Sequence, residues 1–169
     1  MNKKTPPSTE IMKLVTRSHE RVAGTATTEL HVNLLIRLNS GLMTDFLALH
    51  LAPYELSPVS YFTMMRLYSN ANNQANPSEL STFTGETRTN MTRICDDLVN
   101  RGLMHRVTSI EDRRRIDLSL TDEGITLLHT VLPVLREKCA IIYSVFTNDE
   151  KKVLESLMTK LNHALEANL

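Results

Sequence analysis

Two short stretches of this sequence carry side chains that are suited to binding a polyanion. The first holds Thr89, Asn90, Thr92 and Arg93, and the second is the arginine run Arg113–Arg115. Arginine can hold guanine through two hydrogen bonds, asparagine can hold adenine in the same way, and threonine can contact a phosphate or a thymine methyl group. Adjacent guanidinium groups repel one another unless an anion or a carboxylate lies nearby. These residue types indicate contact with duplex DNA.

The first stretch is predicted to lie on a helix between Thr87 and Arg101 that presents its polar side chains outward. The apolar residues recur at the spacing of one helical face and are Met91, Ile94, Cys95 and Leu98. Gly85 is placed to end a preceding short helix, and Gly102 is placed to end this one in a left-handed conformation. A short helix, a glycine turn and a helix with a hydrogen-bonding face predict a helix-turn-helix motif.

The arginine run is predicted to lie at the tip of a β-hairpin. Its strands are residues 103–108 and 115–120, because Ile116, Leu118 and Leu120 alternate with polar residues in the second segment. A cationic hairpin tip can reach a phosphate or the narrow minor groove. The fold class predicted for this region is therefore a winged helix-turn-helix core.

Helical spacing continues toward the N-terminus of this core. The pattern predicts a short helix that stops at Gly24 and a long amphipathic helix from Thr28 to Ala52. A third helix should run from Pro58 to about Ser69, because proline is tolerated in the first helical turn. Residues 70–76 are predicted to form a polar loop, and Pro77–Thr84 a short helix with a capping box at its start.

Two further helices are predicted toward the C-terminus. Thr121 should cap a long helix whose apolar spacing continues to Val145, and Pro133 should bend it. A second capping box, Thr147–Glu150, should open the last helix. The apolar stripes are too long for one small core, so these helices and the N-terminal helix are predicted to form a dimer. The whole chain is thus expected to be mainly α with a small β-hairpin.

Composition limits the class of protein. With 169 residues and 41% hydrophobic content, the chain can bury the core of one domain with helical extensions. Its formal net charge is zero, so any basic surface must be a local patch. No segment approaches the roughly 18 apolar residues of a membrane span, and the N-terminus has no secretory apolar run. We expect a cytoplasmic protein that has no membrane partner.

The sequence does not favour catalysis or metal binding. Its six histidines are scattered, with no HxxxH or HExxH spacing, and no glycine loop or nucleophile elbow is present. Cys95 and Cys139 occupy apolar helical positions and have no CxxC partner, so burial is expected for both. We predict no enzyme activity, no cofactor and no metal site. Redox sensing would require one of the two thiols to be exposed and acidic.

Residues 28–165 resemble the MarR family of bacterial transcriptional regulators, in particular its multidrug-efflux repressor-like branch. The motifs that carry the resemblance are Pro77–Ser81, Arg88–Ile94, Leu98–Leu103, Asp112–Arg115, Leu118–Thr121 and Gly124. The resemblance implies a homodimer whose terminal helices interlock and whose two winged helices bind a palindromic, double-stranded DNA operator. It also implies a pocket for a small-molecule effector where the dimerization helices meet the winged helix.

The resemblance also assigns roles to individual positions. It implies that Arg88–Arg93 read the major groove, that Arg114 enters the minor groove and that Asp112 steadies this arginine. Arg113 adds a possible phosphate contact. The predicted DNA-binding residues are Thr87, Arg88, Thr89, Asn90, Thr92, Arg93, Arg113, Arg114 and Arg115.

Two carboxylates on the recognition helix depart from a purely basic surface. Asp96 and Asp97 are expected to lie too far toward its C-terminus to enter the groove, and Asp97 is spaced to pair with Arg101.

A methionine-containing segment is a candidate effector site. The residues assigned to it are Phe46, His50, Tyr61 and Met65. Methionine adapts its shape to varied apolar ligands, although such residues are most often ordinary core. We therefore keep both interpretations, an effector site and a conventional core.

Four segments are predicted. Residues 1–8 form a disordered tail, 9–56 the N-terminal dimerization and effector helices, 57–121 the winged helix-turn-helix domain and 122–169 the C-terminal dimerization helices. The predicted function is a dimeric repressor of an efflux or stress operon, released by a small aromatic or hydrophobic ligand. The alternative is a winged-helix module that binds a protein partner and has no specific affinity for DNA.

Overall fold

The structure is a computed structural model, and it describes residues 9, 10, 13, 16, 17, 27–108 and 116–169. The described residues up to 17 are helical. The predicted tail and most of the predicted first helix, with Ile11, Leu14, Val15 and Val22, lie outside the described residues. So does the predicted wing tip, residues 109–115. The chain divides into two compact units, residues 1–58 and 59–169.

In the first unit, the long helix α1 spans Thr27–Leu51 and is followed by a 3-10 turn, Ala52–Tyr54. The predicted helix, Thr28 to Ala52, differs from it by one residue at each end. Pro53 lies within the 3-10 turn, because a residue without an N–H cannot continue the α-helical hydrogen bonds. Glu55 then adopts a left-handed φ of 55° and donates its N–H to the carbonyl of Ala52 at 3.0 Å.

The second unit holds the helix-turn-helix and the strands. Its elements in chain order, the first of which begins one residue before the unit, are α2 Pro58–Ser69, β1 Gln74–Ala75, α3 Pro77–Thr84, α4 Arg88–Asn100, β2 Met104–Thr108, β3 Ile116–Leu120, α5 Asp122–Ile142, a 3-10 turn Tyr143–Val145 and α6 Asn148–Glu166. The bounds of α2 and α3 are those that the sequence predicted. The bounds of α4 and of the two longer strands differ from prediction by no more than one residue at each end. Within the described residues, no helix is both long and apolar enough to cross a membrane.

The three strands form an antiparallel sheet in the order β1-β3-β2. Met104 pairs with Leu120 and Thr108 with Ile116, so β2 and β3 make the predicted hairpin. Strand β1 corrects the prediction of a polar loop over residues 70–76, since Gln74 pairs with Ser119 and Ala75 with Leu118. A two-residue strand is too short to show an alternating pattern, and the Nδ2 of Asn70, which donates to the carbonyl of Gln74 at 2.6 Å, helps to hold it.

The core of the second unit is assembled from α2, α3, α4, the sheet and α5. Its most deeply buried side chains are Met64, Leu67, Leu80, Met91, Leu98, Met104, Leu118, Leu128 and Val131. The predicted inner face of α4 is confirmed, because Met91, Ile94, Cys95 and Leu98 are all buried. The hydroxyl of Thr63, which is also buried, donates to the sulfur of Met91 at 3.9 Å and so joins α2 to α4.

Helices α5 and α6 begin where their caps were predicted. The Thr121 hydroxyl accepts the N–H of Gly124 at 3.0 Å. Thr147 and Glu150 form the predicted capping box. The Thr147 N–H, which donates to the carboxylate of Glu150 at 2.7 Å, lowers the pKa of that carboxyl. Helix α5 runs through Pro133 without interruption, and the predicted bend there stays a prediction.

The backbone is closely packed at the corner between β3 and α5. A Cβ added to Gly124 would overlap the carbonyl oxygen of Leu103, a backbone atom that cannot move aside cheaply. Thr121 joins the same corner, since its hydroxyl donates to the carbonyl of Gly102 at 2.7 Å and its N–H to that of Leu103 at 3.2 Å. Only glycine at residue 124 lets α5 start this close to the end of α4.

We therefore predict that Gly124→Ala destabilises the protein. The added methyl group overlaps backbone, which costs about 1–3 kcal/mol of unfolding free energy by the usual scale of overpacking. Gly41→Ala is the matched control, because a Cβ on Gly41 meets nothing within 4 Å. It should be neutral or gain up to about 1 kcal/mol from helix propensity. Urea denaturation of both variants checks this, and equal stabilities would contradict it.

Candidate nucleic-acid interface

The turn before α4 is fixed by hydrogen bonds to Ser81 of α3. Gly85 ends α3 with a left-handed φ of 72° and donates its N–H to the Ser81 carbonyl. Glu86 donates its N–H to the same carbonyl at 3.2 Å, and the Ser81 hydroxyl donates back to the carbonyl of Glu86 at 2.6 Å. Thr87 then caps α4, because its hydroxyl accepts the N–H of Asn90 at 3.2 Å. The start of α4 is thereby held against α3.

The predicted DNA-contacting residues of α4 lie together on its first turns. Thr87, Arg88, Thr89, Thr92 and Arg93 are exposed, and Asn90 is half-buried. Two of these hydroxyls already have a role within the helix. Thr87 is the cap, and Thr92 donates to the carbonyl of Arg88 at 2.9 Å. The exposed side chains of Arg88, Thr89 and Arg93 remain as candidates for contact with a base or a phosphate.

Three side chains on this surface are linked to one another. The Nδ2 of Asn90 donates to the carboxylate of Glu86 at 2.6 Å, and the Nη2 and Nε of Arg93 donate to the Oδ1 of Asn90 at 3.0 and 3.3 Å. Glu86 is not among the predicted site residues, because the sequence pattern assigns it only to the turn. The signal that could have found it is the spacing of four and then three residues along the chain, which places side chains on one helical face.

Both carboxylates in the second half of α4 are paired with arginines. Asp97 lies 3.5 Å from the guanidinium of Arg101, which confirms the predicted pair. Asp96 forms an ion pair with Arg106 of β2, which the sequence did not predict. These two negative charges are paired and lie toward the C-terminal end of α4, away from the polar side chains of its first turns.

The hairpin between β2 and β3 is the second part of the candidate interface. The described part of its ladder ends at the pair Thr108 and Ile116, and the chain between them carries the predicted wing residues. Asp112, Arg113, Arg114 and Arg115 lie outside the described residues, so their roles stay predictions. The ion pair between Arg106 of β2 and Asp96 links the base of the hairpin to the recognition helix.

The environment of Cys95 does not favour thiol chemistry. Its side chain is buried, as predicted. Burial, followed by the negative charge of Asp96, raises the pKa of this thiol to about 11, although Arg106 acts in the opposite direction. The thiolate is the reactive form, so a raised pKa makes Cys95 inert at neutral pH. Cys139 is half-buried. Among the described residues, no group of three His, Cys, Asp or Glu side chains could share a metal ion.

The four predicted effector residues fall in both units of the chain. On α1, the rings of Phe46 and His50 make an edge-to-face contact with centroids 4.5 Å apart. On α2, Tyr61 packs against Phe62 at 5.3 Å, and Met65 is half-buried. Burial, and then the charge of Cys139, raises the pKa of Tyr61. A common site formed by all four residues stays a prediction.

Comparison with known proteins places this geometry among transcription regulators. The model of the MarR family matches residues 56–116. Transcriptional repressor MprA of Escherichia coli (strain K12) is 38% identical over 106 residues, which are 63% of this chain and 60% of MprA. The aligned chain thus spans less than two thirds of the length of MprA. HTH-type transcriptional regulator PrsX of Escherichia coli is 33% identical over 130 residues, which are 77% of this chain and 78% of PrsX.

The fold is similar to that of a solved protein–DNA complex. The S. aureus MepR in its DNA complex superimposes with a TM-score of 0.70 at 19% identity, covering 82% of this chain and 99% of that chain. At this level of identity the likeness concerns the fold, and the fold is the predicted winged helix-turn-helix with flanking helices.

Proposed function

Because the chain belongs to the MarR family, we propose that it is a dimeric, DNA-binding repressor that a small aromatic or hydrophobic ligand releases from a palindromic operator. The observation that carries the proposal is the surface at the start of α4. There Arg88, Thr89 and Arg93 project from a helix whose first turn is fixed by Ser81 and Thr87. A rigid helix start with projecting donors is suited to reading base edges in a major groove.

The comparisons support the parts of this proposal that concern DNA and repression. One structural neighbour was solved with DNA, and one relative carries the name of a transcriptional repressor. In a dimer, two recognition helices about 34 Å apart would reach successive major grooves on one face of the duplex. The wing arginines would add contacts to the minor groove or to phosphates. Such a regulator would act in the cytoplasm, where its operator is.

Dimerization is supported by apolar side chains that remain at the surface of a single chain. On and just before α6, exposed apolar residues are Ile141, Ile142, Val145, Phe146, Val153, Leu154, Leu157, Met158 and Leu165. A second group on α1 comprises Leu30, Val32, Leu35, Leu42 and Leu49. Exposed apolar side chains grouped along a helix in this way are typical of a protein interface, and a second copy of the chain would bury them against its own equivalent residues.

Release by a ligand would follow from a difference in affinity between two arrangements of the dimer. A ligand that binds more tightly to the arrangement with misplaced recognition helices shifts the population toward that arrangement. The size of the shift is limited by the difference in its binding free energy for the two arrangements. Phe46, His50, Tyr61 and Met65 supply aromatic and adaptable apolar groups for such a ligand.

DNA binding is tested by removing one wing arginine. With an operator fragment recovered by selection from the source genome, Arg114→Ala should weaken binding by about 1–3 kcal/mol and reduce the salt slope by about one. Arg136→Ala removes an equal charge from the exposed surface of α5 and should change neither. Affinity is measured at several salt concentrations. If the unmodified protein binds no duplex with a steep salt dependence, the protein-interaction module is the better interpretation.

Dimerization is tested on α6. Leu157, which is 59% exposed in the single chain, should become buried in the dimer, so Leu157→Glu would place an unpaired charge in the interface. We expect a monomer by sedimentation equilibrium and loss of operator binding. Ser156→Glu adds the same charge to the adjacent exposed residue on the polar side of α6 and should remain a dimer. A dimeric Leu157→Glu protein would place the interface elsewhere.

Effector release is tested by titrating the protein–operator complex with aromatic carboxylic acids and hydrophobic cations. We expect at least one of them to lower operator affinity, and Phe46→Ala to shift the concentration required. An unchanged operator affinity across the whole series would count against the effector site.

A further inference from the structure

Glu86 is an acidic residue at the start of a helix that is proposed to face a polyanion. Its backbone is held on both sides by Ser81, at 3.2 Å through the N–H and at 2.6 Å through the carbonyl. Its half-buried side chain accepts a hydrogen bond from the Nδ2 of Asn90 at 2.6 Å. The carboxylate is therefore held by a hydrogen bond and does not rotate freely in solvent.

Asn90 is engaged at both ends of its amide. While Nδ2 donates to Glu86, Oδ1 accepts from Nη2 of Arg93 at 3.0 Å and from Nε at 3.3 Å. Reversing the amide would set Oδ1 against a carboxylate and Nδ2 against a guanidinium, so its neighbours determine its orientation. An asparagine that reads adenine must turn the same two atoms toward the base. Here both atoms point to side chains of the protein.

Arg93 retains the edge of its guanidinium that reads guanine. Its bonds to Asn90 use Nε and one hydrogen of Nη2, which leaves the hydrogens of Nη1 and the second hydrogen of Nη2. The side chain is exposed. An arginine that is oriented before binding loses less side-chain entropy when it forms a bidentate contact.

We propose that the hydrogen-bonded residues Glu86, Asn90 and Arg93 together set the base specificity of the protein. This proposal rests on the DNA-binding function proposed above. Arg93 contacts a guanine, whereas Asn90 and Glu86 are positioning residues that orient its guanidinium. Glu86 has a second effect, because its negative charge near the phosphates weakens binding to any sequence. Specificity is a ratio of affinities, so weaker non-specific binding raises it.

The experiment compares the wild-type protein with Glu86→Ala, Glu86→Gln and Arg93→Lys by selection from a randomised duplex library and by affinity for one random duplex. Arg93→Lys should lose the guanine preference at one position of each half-site. Glu86→Ala should lower the preference at that same position on the order of 10-fold, the scale of one bidentate contact. Its affinity for the random duplex should rise.

Glu86→Gln separates hydrogen bonding from charge. The glutamine carbonyl can still accept from Asn90, so the guanine preference should return toward wild type while affinity for the random duplex stays high. Glu137→Ala removes a carboxylate from the surface of α5 and should alter neither readout. Melting temperatures are measured for every variant.

Three results would overturn the proposal. A changed base preference for Glu86→Ala at a position other than that of Arg93 would mean that Glu86 reads a base itself. A uniform loss across all sequences, accompanied by a lower melting temperature, would mean a purely structural role. If the wild-type protein binds no duplex, both the DNA-binding function and the role of these three residues are overturned. Either of the first two results would leave the DNA-binding function intact.

Discussion

The contact between Gly124 and the carbonyl of Leu103 is the constraint on which the winged helix depends. At this point the end of α4, the start of β2 and the start of α5 come within the reach of one residue, Thr121, which bonds to both Gly102 and Leu103. These backbone contacts hold the end of the recognition helix next to the start of the hairpin. A bulkier side chain at residue 124 would move α5, and with it the base of the hairpin, relative to α4.

The N-terminal end of α4 is restrained by hydrogen bonds of the preceding turn and by the helix cap. Ser81 holds the turn, and the Thr87 cap begins the helix, so both ends of the recognition helix are fixed to neighbouring elements. Arg106 adds a third restraint between β2 and the second half of α4. A surface that reads bases must hold its donors to within a fraction of an ångström, and loops alone rarely do so. The contacts of Ser81, Thr87 and Arg106 therefore help to hold the polar side chains at the start of α4 in position.

The periodic and capped parts of this fold could be predicted from sequence, because their signals are local. Pro77–Thr84 and Arg88–Asn100 each show a cap, an apolar period and a glycine stop within about a dozen residues. Strand β1 could not be predicted, because two residues carry no period. The pair of Asp96 and Arg106 depends on how β2 packs against α4, which no local pattern encodes. Glu86 could not be predicted as a site residue, because its proposed role depends on hydrogen bonds that link it to Asn90 and Arg93. The sequence alone shows only one residue of a turn at this position.

A net charge of zero is compatible with this arrangement and helps to explain it. A strongly basic protein gains non-specific affinity from every phosphate that it neutralises, and the genome offers a vast excess of such sites. A chain with no net charge has little long-range electrostatic attraction to non-specific DNA. Its affinity must then come from a few well-placed cations, such as those at the start of α4 and in the arginine run. Under that condition, side chains that orient a single arginine matter more than additional positive charge.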